Sequence, residues 1–206
     1  IMKGHWQVEN TLKQLLSDSW PLFLAGLSTY IYAKIDQVMI QQFIDSQSVG
    51  FYDISVKLSA MSLFLPGAII ASLFPAIIAA RKLNKKSYIK RIRALGVISI
   101  VVATLLVLPM FIFAHSIILF IFGIGFIGAI PIFQIYIWSS IPALMSMIIQ
   151  NYLIAENLTR VFLYLTFSSA VMNIILNLLF IPTYGAPAAA MTTIASHSLI
   201  VIGLLC

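Results

Sequence analysis

Successive runs of about 20 predominantly apolar residues are the length needed to cross a bilayer as helices. This chain carries six of them: Pro21–Gln42, Val56–Ile78, Ile92–Phe113, Ile127–Ile149, Val161–Ile181 and Pro187–Leu205. The runs are continuous, whereas strands of a membrane barrel alternate over about ten residues, so helices are expected. Hydrophobic residues make up 61% of the chain and charged residues 9%. Soluble domains carry about 25% charged residues, and a soluble core this small has no room for so much apolar surface. The expected fold is therefore all-α, a polytopic six-helix transmembrane bundle (residues 21–206), preceded by a cytoplasmic lead-in (residues 1–20) with an amphipathic lean through Leu12, Leu15 and Leu16. The chain starts at Ile1 and stops within an apolar run, which reads as part of a longer protein. Proline at positions 66, 75, 109, 131 and 142 should kink or bound the helices. The stretch Phe111–Phe126, with His115, Gly123 and Gly125, reads as a short element at the interface rather than part of a span.

The charges orient the bundle. Seven of the twelve Lys and Arg residues fall between Arg81 and Arg93, which places that loop in the cytoplasm by the positive-inside rule. Lys3, Lys13 and the turn Ala155–Arg160 fall on the same side. The loops around Asp45, His115–Phe126 and Thr183–Gly185 fall outside and carry no Lys or Arg. The net charge of +6 is thus mostly a topology signal, with anionic lipid headgroups as natural neighbours. Nucleic-acid binding is not expected of a tight turn between spans.

Inside the first span stand Lys34 and Asp36. A lone charge near the centre of a membrane helix costs about 2.5–3.5 kcal/mol on insertion scales, so each must be paired, reach an interface or face water. Two residues apart, they cannot share a helix face. Lys34 shares its face with Tyr30, Gln37 and Gln41, and this polar stripe with one cation suits the lining of a wet cavity for an anionic substrate. Asp36 is expected either to pair with a cation elsewhere or to bind a coupling ion. Asp53 and Lys57, four apart with the acid first, form a favourable helical pair, which leaves Lys57 either a structural or a cavity role. Asn173 and Asn177 lie with Thr166 and Ser169 on one face of the fifth span and suit hydrogen bonding between helices. His197, flanked by Ser196 and Ser198, is either a satisfied structural histidine or a proton-coupling group. The small residues Ala186–Ala190 suit close helix packing.

Enzyme chemistry is not indicated. The sequence holds no GxxxxGK[ST] phosphate loop, no metal-ligand spacing of His and Cys, no Ser/His/Asp set and no cofactor motif.

Several segments in order resemble O-antigen flippases of the Wzx type, within the multidrug/oligosaccharidyl-lipid/polysaccharide exporter superfamily. They are Ser19-Trp20-Pro21-Leu22, Ile35-Asp36-Gln37-Val38-Met39-Ile40, Val49-Gly50-Phe51-Tyr52, Val56-Lys57-Leu58-Ser59 and Ser72-Leu73-Phe74-Pro75. Phe122-Gly123 with Phe126, Ala129 and Pro131 follows, then Leu153–Asn157, Asn173–Asn177 and Ile181–Gly185. The resemblance is to the C-terminal half of such proteins and departs from it at Ala188, where the family tends to show glycine. It implies one half of a twelve-helix transporter in the bacterial inner membrane that flips an undecaprenyl-diphosphate-linked oligosaccharide by alternating access. Lys34 and Lys57 would then attract the diphosphate or acidic sugars, and Asp36 would gate or couple to H+ or Na+. A polysaccharide polymerase and a chain-length regulator are implied partners. A multidrug antiporter of the same superfamily, or a membrane polysaccharide polymerase, are the alternative functions.

Overall fold

A computed structural model describes residues 2–81 and 84–204, with side chains described from Ser19 onward. Among the described residues all regular structure is helical. The helices are α1 (Met2–Phe43), α2 (Ser46–Arg81), α3 (Lys85–Ile112), α4 (Ala114–Phe122), α5 (Ala129–Tyr136), α6 (Ser140–Ala155), α7 (Thr159–Tyr184) and α8 (Ala186–Gly203). Among the described residues, five elements are long and apolar enough to cross a membrane: α2, α3, the α5–α6 run from Ala129 to Ala155, α7 and α8. The remaining expected span, Pro21–Gln42, lies within α1. No break separates it from the expected lead-in, because one helix runs through from Met2 to Phe43 with Pro21 inside it.

Local chemistry sets the boundaries. Asp45 caps α2 by accepting the Ser48 backbone N–H at 2.7 Å. Asn84 caps α3 in the same way through Lys86 N at 2.8 Å. Proline lacks an N–H, so Pro142 cannot bond the Trp138 carbonyl four residues back. The helix tightens there into a 3-10 turn over Ile137–Ser139, dividing α5 from α6. The α6 end is a Schellman motif: Leu158 N bonds Leu153 O, Asn157 N bonds Ile154 O, and Asn157 takes the left-handed φ of 58°. Arg81 reaches across to this turn, donating to Ala155 O at 3.0 Å and pairing with Glu156 at 2.8 Å. Of the 111–126 segment, Phe111 and Ile112 close α3, and the rest forms the short α4 and a 3-10 turn at Ile124–Phe126.

α8 packs against α7, α5 and α6 and also touches α1 and α2. Its run Ala186, Ala188, Ala189 and Ala190 is buried, and with no bulk beyond Cβ these residues let neighbouring backbones come close. Met39, Ile40, Tyr52, Ile132 and Ile181 pack against it. Hydroxyls stitch the helices where apolar packing leaves room: Ser55 to Ala129 O (3.3 Å), Ser62 to Ser140 (2.9 Å), Ser169 to Ser196 O (2.7 Å) and Ser146 to His197 O (3.2 Å).

Candidate functional site

The α1–α2 turn at Ile44–Asp45 and the α7–α8 turn at Gly185 lie together, with Ile44 against Gly185, and mark the edge of the apolar layer at that end of the bundle. Asp36 lies seven residues from the end of α1 at Phe43, and Tyr52 six from the start of α2 at Ser46. Asn177 lies seven from the end of α7 at Tyr184, and Thr193 seven from the start of α8 at Ala186. All four thus stand at one depth, roughly 10 Å inside that edge. Four helices place them on one level, and there they meet.

Asp36 is buried, and both carboxylate oxygens are occupied. Oδ1 accepts from Asn177 Nδ2 at 2.6 Å, and Oδ2 from the Tyr52 hydroxyl at 2.5 Å. Thr193 Oγ1 lies 2.8 Å from Oδ2 and 2.9 Å from Ala189 O, and its single proton serves one of them at a time. Around this shell, Asn177 Nδ2 also donates to Asn173 Oδ1 at 3.1 Å, and Thr192 Oγ1 donates to Asn177 Oδ1. Asn173 Nδ2 is buried without a partner. Tyr136 packs edge-on against Tyr52, ring centroids 5.5 Å apart. Of the two expectations for Asp36, pairing with a cation is not what the structure holds: its partners are neutral donors. Asn173 and Asn177 do bond between helices, and Asn177 bonds to Asp36 itself. The result is a buried, mutually hydrogen-bonded cluster that brings together oxygen atoms of Asp36, Asn173, Asn177, Thr192, Thr193 and Tyr52, the donor type that suits a proton or a small hard cation.

The opposite face of α1 is different. Tyr30 (65% exposed), Lys34 and Gln41 are exposed, and Gln37 is half-buried. Gln37 donates to Asp53 Oδ1 at 3.1 Å, and Asp53 pairs with Lys57 at 2.5 Å, as the spacing of four anticipates. Gln41 donates to Ser46 Oγ at 3.1 Å. These contacts join the stripe on α1 to the Asp53–Lys57 pair of α2 in one polar flank. Within this chain the flank is open rather than enclosed, so Lys34 stands on a surface and not in a pocket of its own. His197 lies one turn beyond Thr193 on α8, edge-on to Tyr32 at 5.5 Å, with Nδ1 buried and unpartnered.

The partners Tyr52, Thr192, Thr193 and Tyr136 did not stand out in the sequence. Hydroxyls cost little in a membrane helix and mark no position by themselves. The one available signal is the adjacent pair Thr192–Thr193, in the span that also carries Ser196, His197 and Ser198.

A family of polysaccharide biosynthesis proteins matches residues 5–81, the segment that carries Asp36, Tyr52 and the whole polar flank. The chain is similar to flippases. The probable low-salt glycan biosynthesis flippase Agl15 of Haloferax volcanii is 26% identical over 179 residues, covering 85% of this chain and 37% of that protein. The probable flippase AglR of the same organism is 31% identical over 80 residues, 38% of this chain and 17% of its own length. The chain thus spans well under half the length of these relatives. No solved structure matches.

Proposed function

We propose that this chain forms one half of a transporter that flips a lipid-linked oligosaccharide across a membrane by alternating access. The observation that carries this reading is the division of α1 into two polar faces. One face feeds Asp36 into a buried oxygen cage, and the other presents Lys34 beside the Asp53–Lys57 pair.

Lys34 lies two residues deeper than Asp36, about 13 Å from the edge of the apolar layer. Exposure to hydrocarbon at that depth would cost about 2.5–3.5 kcal/mol, with Gln37 and the Asp53–Lys57 pair adding to it. The cost disappears if the flank faces an aqueous space shared with the remainder of a longer protein. The names of the relatives support the substrate class: both are described as flippases, one of them in glycan biosynthesis. A lysine ammonium is a mobile donor suited to the phosphates of a polyprenyl-diphosphate carrier. Undecaprenyl as the carrier, an O-antigen or similar repeat unit as the cargo, and the bacterial inner membrane as the location are the finer forms of this reading. Handing the flipped unit to a polymerase and chain-length regulator would follow from them.

Asp36 is the coupling group. Its buried charge has only neutral donors around it, and binding H+ or Na+ would neutralise it. The neutralised and charged forms favour different packings of α1 against α7 and α8, which is the differential interaction a coupled conformational change requires. The test is a cell-based export assay at matched expression. Asp36→Asn and Lys34→Ala should each lower surface glycan by tenfold or more, whereas normal export by both variants would overturn the reading.

A further inference from the structure

The basic end of α3 carries charge in an arrangement that topology alone does not require. Lys86, Lys90 and Arg93 are exposed, and at about 100° per residue they fall within an arc of roughly 60°. That arc lies opposite the buried face of Tyr88, Leu95, Ser99 and Ala103. The same outward face continues into Val97 (61% exposed), Val101 (52%) and Leu108 (40%). The helix therefore presents a stripe that is cationic for its first turns and aliphatic beyond them.

Two further facts point to an anionic partner. The first turn of α3 holds no acid and is capped by the neutral Asn84, so Lys85 and Lys86 sit at the end of the helix dipole that repels cations. Among the residues from Ser19 onward, whose side chains are described, every carboxylate is engaged elsewhere. Asp36 is in its cage, Asp53 pairs with Lys57, Glu156 pairs with Arg81, and Asp45 caps α2.

We infer that this stripe is a binding site for an anionic phospholipid. The phosphate sits among Lys86, Lys90 and Arg93, and an acyl chain lies along Val97, Val101 and Leu108. Charge complementarity selects the headgroup, and continuity of the exposed face selects a ligand that is a phosphate at one end and hydrocarbon at the other. A soluble phosphate leaves the aliphatic part of the stripe unused. The site lies on an element apart from the polar flank, so it stands whether or not the transport reading does.

The test compares two double variants of the full-length protein that remove equal charge from the same end of α3. Lys86→Gln/Lys90→Gln strips the outward face, whereas Lys85→Gln/Arg91→Gln strips its sides. Binding of dioleoyl phosphatidylglycerol and dioleoyl phosphatidylcholine is measured by native mass spectrometry from a neutral detergent. Each cation near an anionic lipid surface is worth about fivefold in binding, so the outward pair should lose roughly 30-fold for phosphatidylglycerol. The side pair should lose several-fold less, and phosphatidylcholine should bind weakly throughout. On the unmodified protein, raising salt should weaken phosphatidylglycerol but not phosphatidylcholine, which reads the site without any variant. Equal loss by both pairs, or no preference for phosphatidylglycerol in the unmodified protein, overturns the inference. So does a stripe that binds a polyprenyl diphosphate and not phosphatidylglycerol, since it would then serve substrate entry.

Discussion

A carboxylate buried among neutral groups is held by geometry, and each donor to Asp36 can be withdrawn singly. Asn177→Ala removes the donor to Asp36 Oδ1 and to Asn173 Oδ1, while the Thr192 hydroxyl keeps the Ala189 carbonyl as its acceptor. An unsatisfied buried polar group costs about 1–3 kcal/mol, so melting in detergent should move down by several degrees. Thr193→Val keeps the shape and removes one donor, and should cost less because Tyr52 still serves Oδ2. A melting point unchanged by Asn177→Ala would mean that the cage does not hold the four helices together. Asp45 supplies a pH-dependent counterpart outside the spans. The Ser48 backbone N–H, bonded to its carboxylate, holds that group below the usual carboxylate range. A depressed folded-state value stabilises above the ordinary aspartate range near pH 3.9 and loses that contribution as pH falls through the folded value. Asp45→Ala should therefore lower the melting point at pH 7 by more than at pH 3, a difference that thermal scans at the two pH values measure. At this scale the sequence was partly legible. Asp36, Lys34, Asn173 and Asn177 were visible because charges and amides are rare in spans. Their convergence was not, because Asp36 and Thr193 are 157 positions apart and only packing brings them together.

Between elements, small residues and turns decide how closely helices approach. Gly128 sits directly under the ring of Phe51, where a Cβ would overlap ring carbons. Gly128→Ala must displace the Phe51 ring, and overpacking of this kind typically costs about 1–3 kcal/mol. The matched variant Gly96→Ala, where nothing stands within 4 Å of the added carbon, should be neutral or mildly stabilising. Equal effects of the two on melting would contradict the packing. Arg81 is partly exposed, so its pair with Glu156 should contribute no more than about 1 kcal/mol, and Arg81→Ala should lower stability only slightly. The spans were legible in the sequence because hydrocarbon demands long apolar helices. The separate short α4 was legible from the glycines that follow it, Gly123 and Gly125. The 3-10 break at Ile137–Ser139 was legible only as Pro142. The unbroken course of α1 was not legible, since a change in polarity along a chain need not interrupt its backbone.

For the molecule as a whole, the central matter is what lies against the flank formed by α1 and α2. The depth arithmetic puts Lys34 close to the middle of the apolar layer, too far in for a lysine stem to reach an edge comfortably. The same arithmetic puts Ile175, nine residues from the Tyr184 end of α7 as Lys34 is nine from Phe43, at equal depth on a face lined by Phe167, Val171 and Leu176. One flank is polar and one apolar at the same level, and a bilayer accepts only the second. The most direct measurement is labelling by a charged, water-soluble thiol reagent of Lys34→Cys and Ile175→Cys, each in a Cys206→Ser background in the full-length protein in membranes. The account predicts that Lys34→Cys reacts and Ile175→Cys does not; a Lys34→Cys as unreactive as Ile175→Cys would place the flank in lipid and contradict it.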